Sequence, residues 1–360
     1  MTPDPDEKPD LPINEAIELY LRRKRPQWKG ETERSYRKSL ETFADYAAEH
    51  DLETLDDLSR WYVGNYTDFL LEMEYARATV ASKQKNVRTW LKYLEGQGLL
   101  DLGLHLAMET VRLDDKEEVS SQKLAPEDAR ILLTNYRDDP RYFGTRKHAL
   151  LELLWHAGPR RSCVRALDVD DFDDGELAFY NRPETDTRLK RGDSHERKIV
   201  LSEAPRKAIE EYLSVHRIRV RDDHGRHPLF ASENGRPTKQ TITSWVYEAT
   251  LPCNVVECPH GRRRPNCSYV PRSQSSKCPS SRSPHPVRRG SITWQRNLGI
   301  PVEKVASRAA TTPDVIRRYY DQPDLDEALD RRRADTEHID IERHLAPEDL
   351  SEDECQEGEK

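Results

Sequence analysis

The residues with the most chemistry in them lie far apart along the chain. Near its C-terminal end, His285-Pro286-Val287-Arg288 is followed by Tyr319-Tyr320-Asp321, and far upstream Arg160 stands just after Gly158. Two arginines, a histidine and a late tyrosine are the residue types that cut and rejoin a phosphodiester without a metal. A tyrosine oxygen can attack phosphorus. Guanidinium groups hold non-bridging oxygens in forked hydrogen bonds. A histidine moves protons near neutral pH.

Helices must carry most of these side chains. Ile13, Ala16, Ile17, Tyr20 and Leu21 recur at helix spacing. A second helix, with Thr32 as its cap, puts Tyr36, Leu40, Phe43, Ala44 and Ala47 on one face. A third is predicted over 59–74. A fourth, from about Thr79, carries Val80, Val87, Trp90, Leu91 and Leu94 and closes at Gly96 and Gly98. Residues 1–11 read as a disordered lead, 12–100 as an all-helical domain and 101–122 as a charged linker. A second domain is expected over 123–335. A helix over about 147–156 leads into Gly158. Strands are predicted at 176–180 and 198–201, around a polar turn holding Lys190 and Gly192. Further helices are predicted over 203–219, 240–250, 291–298, 302–306 and 313–320. Residues 336–360 read as an acidic tail. The fold class is mainly α with a small β-sheet.

The chain has 360 residues, 35% of them hydrophobic and 34% charged, with a net charge of −8. That sum does not favour nucleic acid, but binding needs only a local basic surface, such as Arg22 to Arg25 or Arg262 to Arg264. Arg77, Thr79, Ser82, Lys83, Lys85 and Arg88 form a polar, basic set on the fourth helix that suits DNA groove or backbone contact. No apolar run is long enough to span a bilayer, and the acidic, Pro-rich start lacks the pattern of a signal peptide. A cytoplasmic protein with no membrane partner is the expectation.

The order Arg160, Lys190, His285, Arg288, Tyr320 resembles that of the tyrosine recombinases, the phage-integrase family, and within it archaeal site-specific integrases. Gly158-Pro159-Arg160-Arg161-Ser162, followed by Leu167-Asp168-Val169-Asp170-Asp171-Phe172, looks like the family's first arginine motif. Lys190 stands where the family keeps a hairpin lysine, and His285-Pro286-Val287-Arg288 matches its His-x-x-Arg box. The resemblance implies an N-terminal helical core-binding domain of SAM-like type and an α+β catalytic domain. It also implies a site-specific DNA recombinase working through a 3′-phosphotyrosyl link without a catalytic cofactor. Double-stranded DNA would be the partner, and a homotetramer would assemble on paired sites. Tyr320 would be the nucleophile, with Tyr319 as the alternative. Arg160 and Arg288 would stabilise charge, His285 would handle the tyrosine proton and Lys190 would protonate the leaving oxygen. One position departs from the pattern. Nine residues before Tyr320 the family has His or Trp after a glycine, and here Ala310 precedes Thr311. A catalytically degenerate, zinc-stapled DNA-binding protein of recombinase descent is therefore the alternative reading. A type IB topoisomerase shares the chemistry, but the compact helical N-terminal domain speaks against it.

Four of the six cysteines, Cys253, Cys258, Cys267 and Cys278, crowd into an insertion at 253–278 rich in Gly, Pro, Ser and Arg. Four thiolates suit a closed structural zinc site, and His260 can replace one of them. A loop with reduced, incidental cysteines is the alternative.

Overall fold

The computed structural model describes residues 10–28, 30–114, 122–321, 323 and 325–336. The chain divides into two compact units, Met1–Ser121 and Gln122–Lys360. The expected lead lies almost wholly outside the described residues. So do residues 115–121 of the expected linker and all but the first residue of the expected tail.

The first unit is built on α1 (Ile13–Lys24), α2 (Gly30–Glu49), α3 (Arg60–Glu72) and α4 (Arg77–Gly96). Its core follows the helical spacing. Ile13, Ala16, Ile17, Tyr20 and Leu21 are buried on α1, and Leu40, Phe43, Tyr46 and Ala47 on α2. Phe43 meets Tyr66 and Trp90 edge-on, at ring separations of 5.0 and 5.5 Å. Edge-on contacts of this kind add to the area that the rings bury. Helix α2 begins two residues before Thr32, so Thr32 lies inside the helix instead of capping it. Helix α3 starts close to the expected position, at a serine cap, with Ser59 Oγ accepting from the Tyr62 amide. Residues beyond 100 stay packed on this unit. Leu104 and Met108 are buried in the same core, and Gln84 accepts a 2.8 Å hydrogen bond from the Val111 amide.

On α4, Arg77, Thr79, Ser82 and Lys85 are exposed and Arg88 is half-buried. Lys83 departs from the expectation. It is 5% exposed, donates to Thr42 Oγ1 at 2.6 Å and lies 4.9 Å from the Tyr75 ring centroid. Position 83 falls one turn from both Val80 and Val87, so the helix carries it into the core stripe. Burial lowers its pKa. Lys83 is a packing residue here and does not belong to the basic face.

The second unit holds α5 (Pro126–Asp138), α6 (Arg146–Ala157) and α7 (Arg161–Ala166). These are followed by β1 (Phe172–Asp173), β2 (Glu176–Phe179) and β3 (Arg197–Val200). The strands form one antiparallel sheet in the order β1-β2-β3, with Leu177 paired to both Phe172 and Ile199. The two-residue β1 was not legible in the sequence, because a strand that short has no period. After the sheet come α8 (Glu203–Glu211), α9 (Lys239–Ala249), α10 (Pro284–Asn297), α11 (Val302–Ala309), α12 (Pro313–Tyr319) and α13 (Leu325–Thr336). Helix α8 gives way at Tyr212 to a π-turn ending at His216, short of the expected 219. Helix α6 is buried nearly all round, with Ala149, Leu150, Leu151, Leu153, Leu154 and Ala157 sealed from solvent. A helix without a polar stripe belongs at a domain's centre, and α5, α8, α9 and α10 gather about this one.

Helix α10 starts seven residues before the expected Ser291, with Pro284 in its first turn. A proline suits that position because its missing N–H would have no intrahelical acceptor. His285 and Arg288 therefore sit on a helix, one turn apart, and not in a loop. Further along, Gly290 lies against the backbone of Leu124. A β-carbon there would stand 2.1 Å from the Leu124 carbonyl oxygen and 3.0 Å from the Trp155 ring. Gly290→Ala should therefore cost about 3 kcal/mol of this unit's stability, at the upper end for overpacking. Thermal and urea melting report it, and a variant melting like the parent would mean that the two segments part easily.

Candidate active site

Each of the five expected catalytic side chains is set by a local device. Helix α6 ends at Gly158, whose φ of 56° lies in the left-handed region that glycine tolerates. The chain then reverses, and Arg160 becomes the residue before α7. Arg288 comes from one turn inside α10. Tyr320 ends α12, its amide bonded to the Ile316 carbonyl at 3.0 Å and its own carbonyl accepting from Thr293 Oγ1 at 2.8 Å. The neighbouring Tyr319 carbonyl accepts from Arg289 Nε at 3.3 Å. Lys190 is exposed in the connection from β2 to β3.

Arg288 is 1% exposed. Its Nη1 donates to the Gly158 carbonyl and, at 2.7 Å, to the Ala309 carbonyl. Arg160 Nη1 donates to the Ala310 carbonyl. The two guanidiniums thus tie the end of α6 to the end of α11, across 130 and 150 residues of chain. Ala310 takes φ 50°, a left-handed conformation unusual for a residue with a β-carbon. These anchors help to hold it there. The Nε and Nη2 atoms of Arg288 are buried with no hydrogen-bond partner. They share one edge of the guanidinium and form the side-on fork that matches two oxygens of a phosphate. The Tyr320 phenol lies near this group. It partly offsets the burial that lowers the arginine's pKa, although its placement does not complete a hydrogen bond to either atom.

Tyr320 is 5% exposed. Its ring centroid stands 5.5 Å from that of His285 and 5.1 Å from the Arg288 guanidinium carbon. The His285 pKa is pushed down to about 4, first by burial and then by Arg289, Arg288, Arg160 and Lys190. Solvent reaches this residue, yet packed protein around it still supplies the largest part of the shift. The imidazole is therefore neutral at pH 7 and has a nitrogen free to accept a proton. Burial and then the Arg288 charge lower the pKa of Arg160. The structure thus brings Arg160, Lys190, His285, Arg288 and Tyr320 into one neighbourhood.

It separates the alternatives from them. Arg161 donates to Thr243 Oγ1 at 3.0 Å, toward α9. The Tyr319 ring packs with the small cluster of Val302, Val305 and Ile316 and carries the Arg318 guanidinium 5.2 Å from its centroid. Thr311 follows Ala310 in the turn, its amide bonded to the Ala306 carbonyl at 2.9 Å.

The hairpin base is locked by buried ion pairs. Arg236 bonds Asp168 and, at 2.7 Å, Asp222, while Arg182 bonds Asp171. Sequence reasoning missed two residues of this region. Arg197 on β3 lies 3.9 Å above the Phe179 ring and donates to the Arg308 carbonyl at 2.7 Å. His195, at the end of the same connection as Lys190, is buried. Its one sequence signal was its place five residues after Lys190.

The cysteine insertion is a chain of turns. Short 3-10 segments span Pro252–Asn254, Arg264–Asn266 and Ser275–Lys277, with Cys253 inside the first and Cys267 and Cys278 closing the other two. All four thiols are free. Burial, opposed by Arg264 and reinforced by the other three thiols, raises the Cys253 pKa. His260 is engaged with Ser280 at 2.9 Å. Among the described residues no group of three or more His, Cys, Asp or Glu side chains is arranged to hold a metal ion. The expected zinc site thus gains no support from the geometry.

No family model matches the chain. It is 27% identical over 207 residues to a tyrosine recombinase XerC of Herpetosiphon aurantiacus, covering 58% of this chain and 64% of that protein. It is 26% identical over 236 residues to a tyrosine recombinase XerC of Roseiflexus castenholzii, covering 62% and 69%. The chain thus spans just under two thirds of the length of the first of these relatives. Among solved structures, the Tn1549 transposon integrase in complex with a circular intermediate DNA superposes with a TM-score of 0.64 at 15% identity, over 92% of this chain and all of that one. A lambda integrase dimer bound to a core site gives 0.60 at 11% identity, over 88% and 100%. No helix among the described residues is long and apolar enough to cross a membrane. In sequence the chain is thus similar to tyrosine recombinases, and it shares the fold of the solved integrases.

Proposed function

We propose that the protein is a site-specific DNA recombinase that cuts and rejoins strands through a 3′-phosphotyrosyl intermediate. One observation carries the reading: a buried tyrosine sits beside an arginine whose phosphate-matching edge has no partner in the protein. Its XerC relatives are recombinases by name, and the solved neighbours described above were captured on DNA. The Tyr320 oxygen attacks the scissile phosphorus and expels the 5′-oxygen. His285, neutral in the free protein, accepts the phenolic proton or orients the phosphate. Arg160 and Arg288 take up the charge that grows on the non-bridging oxygens. Lys190 gives a proton to the leaving 5′-oxygen. A 5′-hydroxyl of a second strand then attacks the phosphotyrosine and releases Tyr320. The bond energy stays in the covalent link, so the cycle needs neither ATP nor a catalytic metal. Two duplexes exchanging strands call for paired protomers, hence a tetramer on DNA.

The experiment is covalent trapping. Full-length protein is mixed with a pool of randomised duplexes, each nicked so that the cleaved end is lost by diffusion. Protein–DNA adducts that survive detergent support the reading, and sequencing the trapped DNA recovers the site. A chain that shifts DNA on a native gel and never leaves an adduct is instead the degenerate DNA-binding protein.

The same reading includes a structural zinc on Cys253, Cys258, Cys267 and Cys278. Its ground is the crowding of four reduced cysteines into one short, turn-built insertion of the sequence. The thiols would have to draw closer together to close on an ion. Metal analysis of purified protein should return about one zinc per chain. Zinc-free protein whose melting ignores a chelator removes this part of the reading.

A further inference from the structure

His195 ends the 3-10 turn Gly192–His195 and leads into β3. It is 7% exposed, and its Nδ1 atom is buried without a hydrogen-bond partner. Its carbonyl is held by Arg197 Nη1 at 3.1 Å, which fixes the backbone but leaves the ring nitrogen unanswered. The charges that act most strongly on the ring are cations: Arg160, Arg191, Arg197 and Arg288. Arg197 Nη2 and Arg288 Nε and Nη2 share the same condition, buried and unpartnered. Native proteins satisfy nearly all such groups. Here three neighbouring side chains present polar nitrogens, and the charges that act most strongly on the imidazole come from four guanidiniums. Only an anion answers both the missing acceptors and the excess of charge. The two arginines of the proposed cleavage site, Arg160 and Arg288, belong to this group, so the anion is the phosphate on which Tyr320 acts.

We infer that His195 is a further catalytic residue, donating a hydrogen bond from Nδ1 to a non-bridging oxygen of the scissile phosphate. The inference rests on the recombinase reading above. Burial, followed by the four arginines, pushes the His195 pKa down to about 4, so the ring is neutral at pH 7 and carries one N–H. It gives a hydrogen bond to the phosphate and moves no proton. The arriving phosphate carries the charge that the cluster lacks, and its oxygen supplies the missing acceptor.

The test uses the nicked duplex trapped by the wild-type protein. His195→Ala should slow adduct formation by about 10²-fold, the loss expected for one preorganised donor, while duplex affinity stays within about threefold. Asparagine places its amide nitrogen near the position of Nδ1, and glutamine reaches instead toward Nε2. His195→Asn should therefore recover much of the rate and His195→Gln should not. Melting of each variant separates loss of fold from loss of chemistry. A bridging 5′-sulfur, which leaves without a proton, should not rescue His195→Ala. The inference is overturned if His195→Ala cleaves at the wild-type rate, or if asparagine and glutamine are equally poor. Rescue by sulfur overturns it too, because His195 would then be a proton donor. If wild-type protein forms no adduct at all, the recombinase reading has failed and not this step alone.

Discussion

Tyr320→Phe should reduce covalent adduct on nicked DNA to background, a loss on the order of 10⁴-fold or more, because the attacking atom is gone. The change is nearly silent for folding. The side-chain hydrogen bond at this residue goes to its carbonyl, not its hydroxyl, since Thr293 Oγ1 donates to the Tyr320 backbone. The ring keeps its place against Ile292, Val305 and Ile316. Stability should change by less than about 1 kcal/mol. DNA binding should persist, since the arginines remain. Tyr319→Phe serves as the control and should keep activity, because the ring beside His285 and the Arg288 guanidinium is that of Tyr320. Adduct formed by Tyr320→Phe, and lost from Tyr319→Phe, would reassign the nucleophile.

Arg288→Ala should fail twice. The guanidinium is among the largest fully buried side chains, and its Nη1 holds the carbonyls of Gly158 and Ala309. Removing it leaves a cavity and two unsatisfied carbonyls, a cost of about 3–5 kcal/mol. It also removes the phosphate fork, which should lower cleavage by about 10²–10³-fold or more at temperatures where the variant is folded. Arg288→Lys separates the two jobs. An ammonium keeps the charge and can reach one carbonyl, so part of the stability returns. It has no fork, so the cleavage rate should stay low. Arg288→Lys with wild-type cleavage would show that the side-on edge is not what grips phosphate.

The solvation of the site also sets a pH window for stability. His285 and His195 have folded-state pKa values near 4, below the ordinary histidine value. Between about pH 6.5 and pH 4 the unfolded chain binds more protons than the folded one. Above about pH 6.5 both rings stay neutral at no cost, and stability drains away as pH falls toward 4, chiefly through the buried His195.

Much of the fold was legible because helical periodicity is local. The buried stripes of α1, α2 and α4 follow from spacing alone, as do the start of α3 near Ser59 and the break at Gly158. Where the sequence misled, the reason was a tertiary contact. Lys83 reads as a basic surface residue, and only the packing of α4 against Thr42 and Tyr75 shows that it is buried. The start of α10 at Pro284 was hidden because Pro284 and Pro286 look like loop residues, yet both fit a first helical turn. Which of two adjacent tyrosines enters the site depended on rotation of the last turn of α12, and adjacent residues on a helix face about 100° apart. His195 carried almost no sequence signal, because its importance lies in what surrounds it. Composition and periodicity thus determined the helical plan, and the resemblance in motif order pointed to five residues that could do the chemistry. Only the folded chain decided that Arg288 spends one nitrogen on scaffolding and leaves its Nε–Nη2 edge unpaired, and that a buried nitrogen of His195 shares that condition. Such facts depend on contacts closed across more than a hundred residues, and spacing along the chain does not encode which buried nitrogens are left unpaired.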